Sequence, residues 1–243
     1  MSKIMIIDSG LGAMTFAKAI IDHKLLGKWI VCLDQKNNPY GIKNQKELLE
    51  LGKKFLDYAR SQHINQVFIG CNTLAVNAFY ELKALYPDIE INSVIDMTLK
   101  AIKDAGNFNK VLVLATNATV NSRIYDHYLE NCDAIAVQKL VTMIENMESE
   151  FLIREYLLNK VSNFDYDIIV LGCTHFPIVK SLIEKTFNCR CVDGIEMMIN
   201  HYRQLVSGDF KMEVLTSGDK TICQKQIKKF FNLDLGGIKT WQW

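Results

Sequence analysis

Two stretches of the 243-residue chain decide how the rest is read: QVFIGCNTLAVNAFYELK, from Gln66 to Lys83, and DIIVLGCTHFPIVKSLIEK, from Asp167 to Lys185. Each carries an apolar run into Gly-Cys, adds two polar residues, and continues with apolar positions at helical spacing. One cysteine closing one apolar run reads as a small buried hydrophobe. Two cysteines in two copies of one phrase need a further reason. The copying extends both ways. Upstream, KIMIIDSGLGAMTFAKAI (Lys3 to Ile20) is echoed by KVLVLATNATVNSRIYDHY (Lys110 to Tyr128), and downstream INSVID and CRCVDG each supply a short apolar run reaching Asp.

Short apolar runs alternating with helix-length amphipathic segments predict βαβ units and parallel sheets covered on both faces. The expected fold is α/β: two pseudo-symmetric lobes, each a mostly parallel sheet flanked by helices, with the active site in the cleft between them. In such sheets ligands bind at the carboxyl ends of the strands, where each cysteine falls. The first lobe is expected over residues 1–96 and the second over 97–207, with the crossover in a helix within MTLKAIKDAGNFN that Gly106 stops. The strand in KMEVLTSGD and the helix KTICQKQIKKFF are expected to return, as 208–243, to complete the first lobe.

Composition removes several classes. The 28 basic and 27 acidic side chains nearly cancel, and no basic stripe interleaved with aromatics tracks a phosphate backbone, so nucleic acid is not expected as a partner. No apolar run approaches about 18 residues and no signal segment is evident, so no membrane association and a cytoplasmic location are expected. Seven cysteines, an odd number without a scaffold pattern, read as free thiols. Cys189 and Cys191 lack the second pair that a zinc site needs and read as core residues of a strand; no metal is expected. GLGAMT has Thr15 where a dinucleotide loop has its third glycine. Pyridoxal phosphate requires a Schiff-base lysine, and no lysine is singled out.

Each cysteine opens a strand-to-helix turn, and a helix N-terminus is expected to lower a thiol pKa from about 8.5. With the lobes facing each other, Cys71 and Cys173 approach one cleft from opposite sides. Inverting a carbon acid requires one group to remove a proton from one face while another delivers one to the other. Two equivalent thiols meet that demand, whereas covalent catalysis by cysteine needs one thiol and one base.

The phrases IIDSGLGAMT (Ile6 to Thr15), DQKNNPYGIK (Asp34 to Lys43), GCNTLA (Gly70 to Ala75), LATNATVNSRIY (Leu114 to Tyr125), LVTMIE (Leu140 to Glu145), LGCTHFP (Leu171 to Pro177) and VLTSGD together resemble the glutamate racemases of the cofactor-independent aspartate/glutamate racemase superfamily. Asp8-Ser9-Gly10 and Thr174-His175 favour the glutamate branch over the aspartate one. The resemblance implies interconversion of L- and D-glutamate without a cofactor, supply of D-glutamate for peptidoglycan, and a homodimer. It implies that Cys71 acts on the D enantiomer and Cys173 on the L enantiomer. Asp8 would orient the substrate ammonium and assist Cys71, or simply cap the following helix. His175 and Glu145 would serve Cys173, the alternative being a structural histidine. The resemblance places the side-chain carboxylate near Ser9 and the Tyr40-Gly41 turn, a backbone anion site. Asn72, Thr73 and Thr174, at helix mouths, supply donors for the α-carboxylate without an arginine. Thr116, Thr119 and Ser122 either complete the anion site or cap a helix. Three positions depart from the family pattern: Ala13, Leu74 and Phe176 stand where Gly, Ala and Tyr are usual. They leave open a racemase of another amino acid, such as aspartate, or a homologue that binds amino acids without turnover.

Overall fold

The computed structural model describes residues 3–241. The inner strand β1 (Lys3–Asp8) alternates its side chains between two cores: Ile4 and Ile6 on one face, Met5 and Ile7 on the other. That doubly apolar pattern is what a central parallel strand needs. Around it stand β2 (Lys28–Leu33), β3 (Gln66–Ile69) and β4 (Glu90–Ser93), connected through helices α1 (Ala13–Asp22), α2 (Gln45–Ser61) and α3 (Asn72–Leu85). Helix α4 (Val94–Ala105) leads out of this sheet and stops at Gly106, whose φ of 117° suits a residue without Cβ.

The second sheet contains β5 (Val111–Ala115), β6 (Cys132–Ala136), β7 (Ile168–Gly172) and β8 (Cys191–Val192), with α5 (Asn117–Asn121), α6 (Gln138–Glu145), α7 (Glu150–Lys160) and α8 (Lys180–Phe187). The chain then forms α9 (Ile195–Arg203), β9 (Lys211–Thr216), α10 (Lys220–Phe231) and β10 (Ile238–Thr240). The six-stranded sheet runs β10-β9-β2-β1-β3-β4 and the four-stranded sheet β6-β5-β7-β8. All pairings within them are parallel. The order β2-β1-β3-β4 is repeated as β6-β5-β7-β8, so the sequence repeat is a repeat of topology. Strands β9 and β10 extend only the first sheet.

Both faces of both sheets are covered. Helices α1, α9 and α10 pack on Ile4, Ile6, Val31 and Phe68, with Tyr202 of α9 edge-on to Trp29 at 5.5 Å between ring centroids. The apolar side of α9 thus lies on the first sheet, although the helix is within the 97–207 stretch. Helices α6, α7 and α8 cover Leu112, Leu114, Ile169 and Leu171. Burying one such leucine or isoleucine contributes about 1.5–3 kcal/mol.

Two local readings change. INSVID is not one run: β4 ends at Ser93, whose hydroxyl accepts from the Asp96 amide and caps α4, so Val94, Ile95 and Asp96 are helical. Cys191 lies in β8, but Cys189 precedes the strand and donates its thiol to the Tyr166 carbonyl at 3.2 Å.

Candidate active site

The inner strands of the two lobes share one register. Ile7 stands beside Ile69 in the first lobe and Leu114 beside Leu171 in the second. One step past the following glycine, Cys71 and Cys173 leave their strand ends at equivalent points, Ser9 matching Thr116. Both thiols are free and buried, and both line one narrow cleft between the strand ends.

Cys71 is the N-cap of α3, its carbonyl accepting from the Ala75 amide at 2.9 Å. Its Sγ is 3.7 Å from Ser9 Oγ. The expectation of a lowered thiol pKa is corrected here. Burial pushes the Cys71 thiol far up and the Asp8 carboxylate adds to the rise, outweighing the Leu74 amide and the Ser9 hydroxyl. The helix end is present, but desolvation of the thiolate is the larger effect.

Asp8 stands fully buried behind Ser9. Its Oδ1 accepts from Ser9 Oγ at 3.2 Å and from the Gly10 amide at 3.4 Å, while Oδ2 has no hydrogen-bond partner. Burial raises its carboxyl to about 6, against the lowering effects of the His175 charge, the Thr174 hydroxyl, the Gly10 amide and the Ser9 hydroxyl. Gly12, not Asp8, is the N-cap of α1.

The Cys173 side is built differently. After Cys173 the chain forms a 3-10 turn, Phe176–Val179, before α8 begins, with Pro177 at its start. This turn brings His175 Nδ1 to 3.9 Å from Cys173 Sγ, while Nε2 meets Glu145 Oε1 at 2.8 Å. Burial disfavours the imidazolium, yet the Cys173 sulfur and the Glu145 carboxylate overcome it and hold His175 well above its ordinary pKa. Burial likewise opposes ionisation of Glu145, but His175, the Leu11 amide and the Gln35 amide keep it below the usual carboxylate range. His175 and Glu145 form an ionised pair at neutral pH. Glu145 is held from four more directions: its Oε1 accepts from the Leu11 amide at 2.8 Å and Asn38 Nδ2 at 3.2 Å, and its Oε2 from Gln226 Nε2 at 2.9 Å and Gln35 Nε2 at 3.1 Å.

The Asp/Glu/Hydantoin racemase family model matches residues 16–202, most of the chain and both cysteine turns. The chain belongs to the Asp/Glu/Hydantoin racemase family. It is 32% identical to glutamate racemase 2 of Bacillus subtilis (strain 168), covering 95% of this chain and 94% of that protein. It is 28% identical to the glutamate racemase of Helicobacter pylori (strain P12), over 95% of this chain and 100% of that one. The crystal structure of glutamate racemase from Campylobacter jejuni subsp. jejuni superposes with a TM-score of 0.85 at 26% identity, covering 95% and 98% of the two chains.

Measured against this racemase family, the remaining residues named from sequence fall into three positions. Ser9, Tyr40, Gly41, Asn72, Thr73, Thr116, Thr174 and His175 line the cleft with the cysteines. Asp8 and Glu145 stand behind it. Thr119 also stands back, donating its amide to Thr116 Oγ1 at 3.3 Å, so Thr116 both caps α5 and faces the cleft, where it is 2.8 Å from Thr73 Oγ1. Ser122 bonds locally, its hydroxyl donating to the Thr119 carbonyl and accepting from the Ile124 amide. The Tyr40 hydroxyl is already engaged, donating to Asp34 Oδ2 at 2.6 Å. The Oδ1 of Asn72 is buried without a partner.

Ala13, Leu74 and Phe176, the departures from the racemase pattern, are buried in the three hydrophobic cores and are absent from the cleft lining. Sequence reading missed Asn38, Pro39, Gln138 and Val141 in the lining, and Gln35 and Gln226 behind it. Helical spacing held a signal for two of them: Gln138, Val141 and Glu145 are i, i+3 and i+7 on α6 and share one face. Among the described residues no group of three or more His, Cys, Asp or Glu is arranged to hold a metal ion, and no helix is long and apolar enough to cross a membrane.

Proposed function

We propose that the protein interconverts L- and D-glutamate by proton transfer at Cα between two thiols. The observation that carries this reading is the pair of Gly-Cys turns, at equivalent ends of β3 and β7, lining one cleft that contains neither lysine nor arginine. The Cα of the substrate lies between the two sulfurs. Backbone amides and hydroxyls at Asn72, Thr73 and Thr174 take the α-carboxylate, and Ser9 with the Tyr40-Gly41 turn takes the side-chain carboxylate. Asp8 faces the ammonium. Bringing that positive charge beside Asp8 offsets one of the causes that keep the Cys71 thiol high, so the substrate itself eases ionisation on that side.

From L-glutamate, the Cys173 thiolate takes the Cα proton as the electron pair of the C–H bond moves toward the α-carboxylate. The Cys71 thiol then gives its proton to the opposite face. The two sulfurs finish with protonation exchanged, ready for D-glutamate. The His175–Glu145 pair stays ionised and orients the Cys173 side. General acid–base assistance of this kind contributes about 10²–10⁴-fold.

The family relationship supports D-glutamate supply for peptidoglycan, a cytoplasmic location and a homodimer. We retain the division into lobes 1–96 with 208–243, and 97–207, as the bodies that enclose the substrate, with α9 of the second stretch packed on the first lobe. The test is proton NMR in D2O with L-glutamate and then D-glutamate, without added cofactor, for the wild-type protein, Cys71→Ala and Cys173→Ala. Deuterium at Cα with inversion from both enantiomers, and loss of inversion in both variants, is the expected result. Inversion that survives in either variant rules out the two-thiol reading.

A further inference from the structure

We propose that Gln138 is a specificity-determining residue whose amide donates a hydrogen bond to the side-chain carboxylate of the substrate. The assignment rests on the glutamate reading above and deepens it. Gln138 is the first residue of α6, on the second lobe. Its Oε1 accepts from the Asn117 amide at 3.3 Å, at the start of α5. That contact fixes which way the side-chain amide points, because the flipped form sets N–H against N–H. Nε2 is therefore the end turned elsewhere, and it is buried without any hydrogen-bond partner.

Its location says what it is for. Gln138 lines the cleft that holds Cys71 and Cys173. A Cβ built on Gly41 meets Gln138 Oε1 at 1.9 Å and Thr116 Cβ at 2.9 Å, so the glutamine amide fills the space that a side chain at residue 41 would take. Gln138 therefore closes, from the second lobe, the end of the cleft that the Tyr40-Gly41 turn closes from the first. That is the end assigned to the side-chain carboxylate.

An anionic group there meets no lysine or arginine in the lining. It must be bound by neutral donors, each aimed from a fixed position. Ser9 and the turn amides supply donors from one lobe only. Gln138 Nε2 supplies one from the other lobe, and a buried amide N–H left without a partner is costly to the empty site. Substrate with a carboxylate at this end satisfies it. A substrate lacking that carboxylate leaves it unsatisfied, which is how a site built to bond a group rejects an analogue without it.

The experiment measures racemisation of L- and D-glutamate by circular dichroism for the wild-type protein, Gln138→Leu and Gln138→Glu, with thermal melting to confirm folding. Gln138→Leu removes the donor at similar length and is expected to raise KM roughly ten- to hundredfold, with kcat nearly unchanged because the contact is remote from Cα. Gln138→Glu keeps the shape, and so guards against misfolding of the leucine variant, but sets an acceptor against the carboxylate. It is expected to raise KM for glutamate at least as much and to lower discrimination against glutamine. KM values within twofold of wild type in a folded variant overturn the assignment, as does a loss confined to kcat. Wild-type protein inert toward both enantiomers overturns the glutamate reading and this assignment with it; wild-type turnover with unaffected variants overturns the assignment alone.

Discussion

Asp8 shows how one residue holds the site at some cost to the fold. Its carboxyl is raised from 3.8 to about 6, so the native state binds its proton more tightly than the unfolded chain does. Stability from this group is therefore present below the unfolded pKa and is lost as pH rises from about 4 through about 6. Asp8→Asn, which removes the titration and keeps the shape, is expected to be more stable than wild type at pH 7.5 by on the order of 1–3 kcal/mol, with the two nearly equal at pH 4. Urea denaturation at the two pH values checks this; equal stability at pH 7.5 contradicts it. Activity is expected to fall in the same variant, the usual exchange at a site that holds a charge where burial disfavours it. The Glu145–His175 pair has the opposite sign on its acidic side: Glu145, held low, loses its contribution only as pH falls through its depressed value.

At the scale of elements, the two halves of the repeat have diverged around a shared frame. The strand registers coincide, yet the carboxylate beside Cys71 is Asp8, whose counterpart at the end of β5 is Ala115, while the imidazole beside Cys173 is His175, whose counterpart in the first copy is Thr73. Both residues sit inside the motifs IIDSGLGAMT and LGCTHFP, and so were legible in the sequence. The roles of Gln35, Gln138 and Gln226 were not, although Gln35 lies inside DQKNNPYGIK and Gln138 shares a helical face with Glu145, because a glutamine carries no local sign of whether its amide meets water or a carboxylate. Only the packing of α6 and α10 against the first sheet's loops decides that. The pKa of Cys71 was misread for a similar reason: sequence locates the helix end but not the depth of burial. The glycines of the first turn are element-scale features as well. Gly12 has an ordinary helical φ of −54°; what requires glycine is space, since a Cβ there meets Thr174 Oγ1 at 2.2 Å and the Thr174 backbone carbon at 3.0 Å. A side-chain rotation relieves the first contact and not the second. Gly12→Ala is expected to push the two turns apart, costing about 1–3 kcal/mol and a much larger share of turnover. Melting temperature and kcat measured together check it, and full turnover shows that the turns have room to give.

Across the whole molecule, the fold class, the two sheets and the facing cysteines follow from one repeated phrase, since parallel strands and crossover helices leave few arrangements open. The crossover at Gly106 was readable from a glycine after a periodic run. The placement of α9 was not, because its Met198, Ile199 and Tyr202 suit either sheet and only the aromatic contacts with Trp29 and Phe68 select the first.

The addition of β9 beside β2 sets a schedule for the chain as it is made. Lys28 to Leu33 pair with Lys211 to Thr216, so one whole hydrogen-bonding edge of the first sheet is synthesised early and covered late. At about 5–20 residues per second that edge waits on the order of ten seconds or more, while the second lobe emerges complete in between. An open edge of this kind, next to the apolar face that α10 has yet to cover, is a template for a neighbouring chain. A chain ending at residue 207 is accordingly expected to collect in the insoluble fraction under conditions where the full chain remains soluble, and sedimentation of the two from parallel expressions measures it. The last strands thus act as a seal whose late arrival makes the nascent chain, more than the finished protein, the form in need of protection.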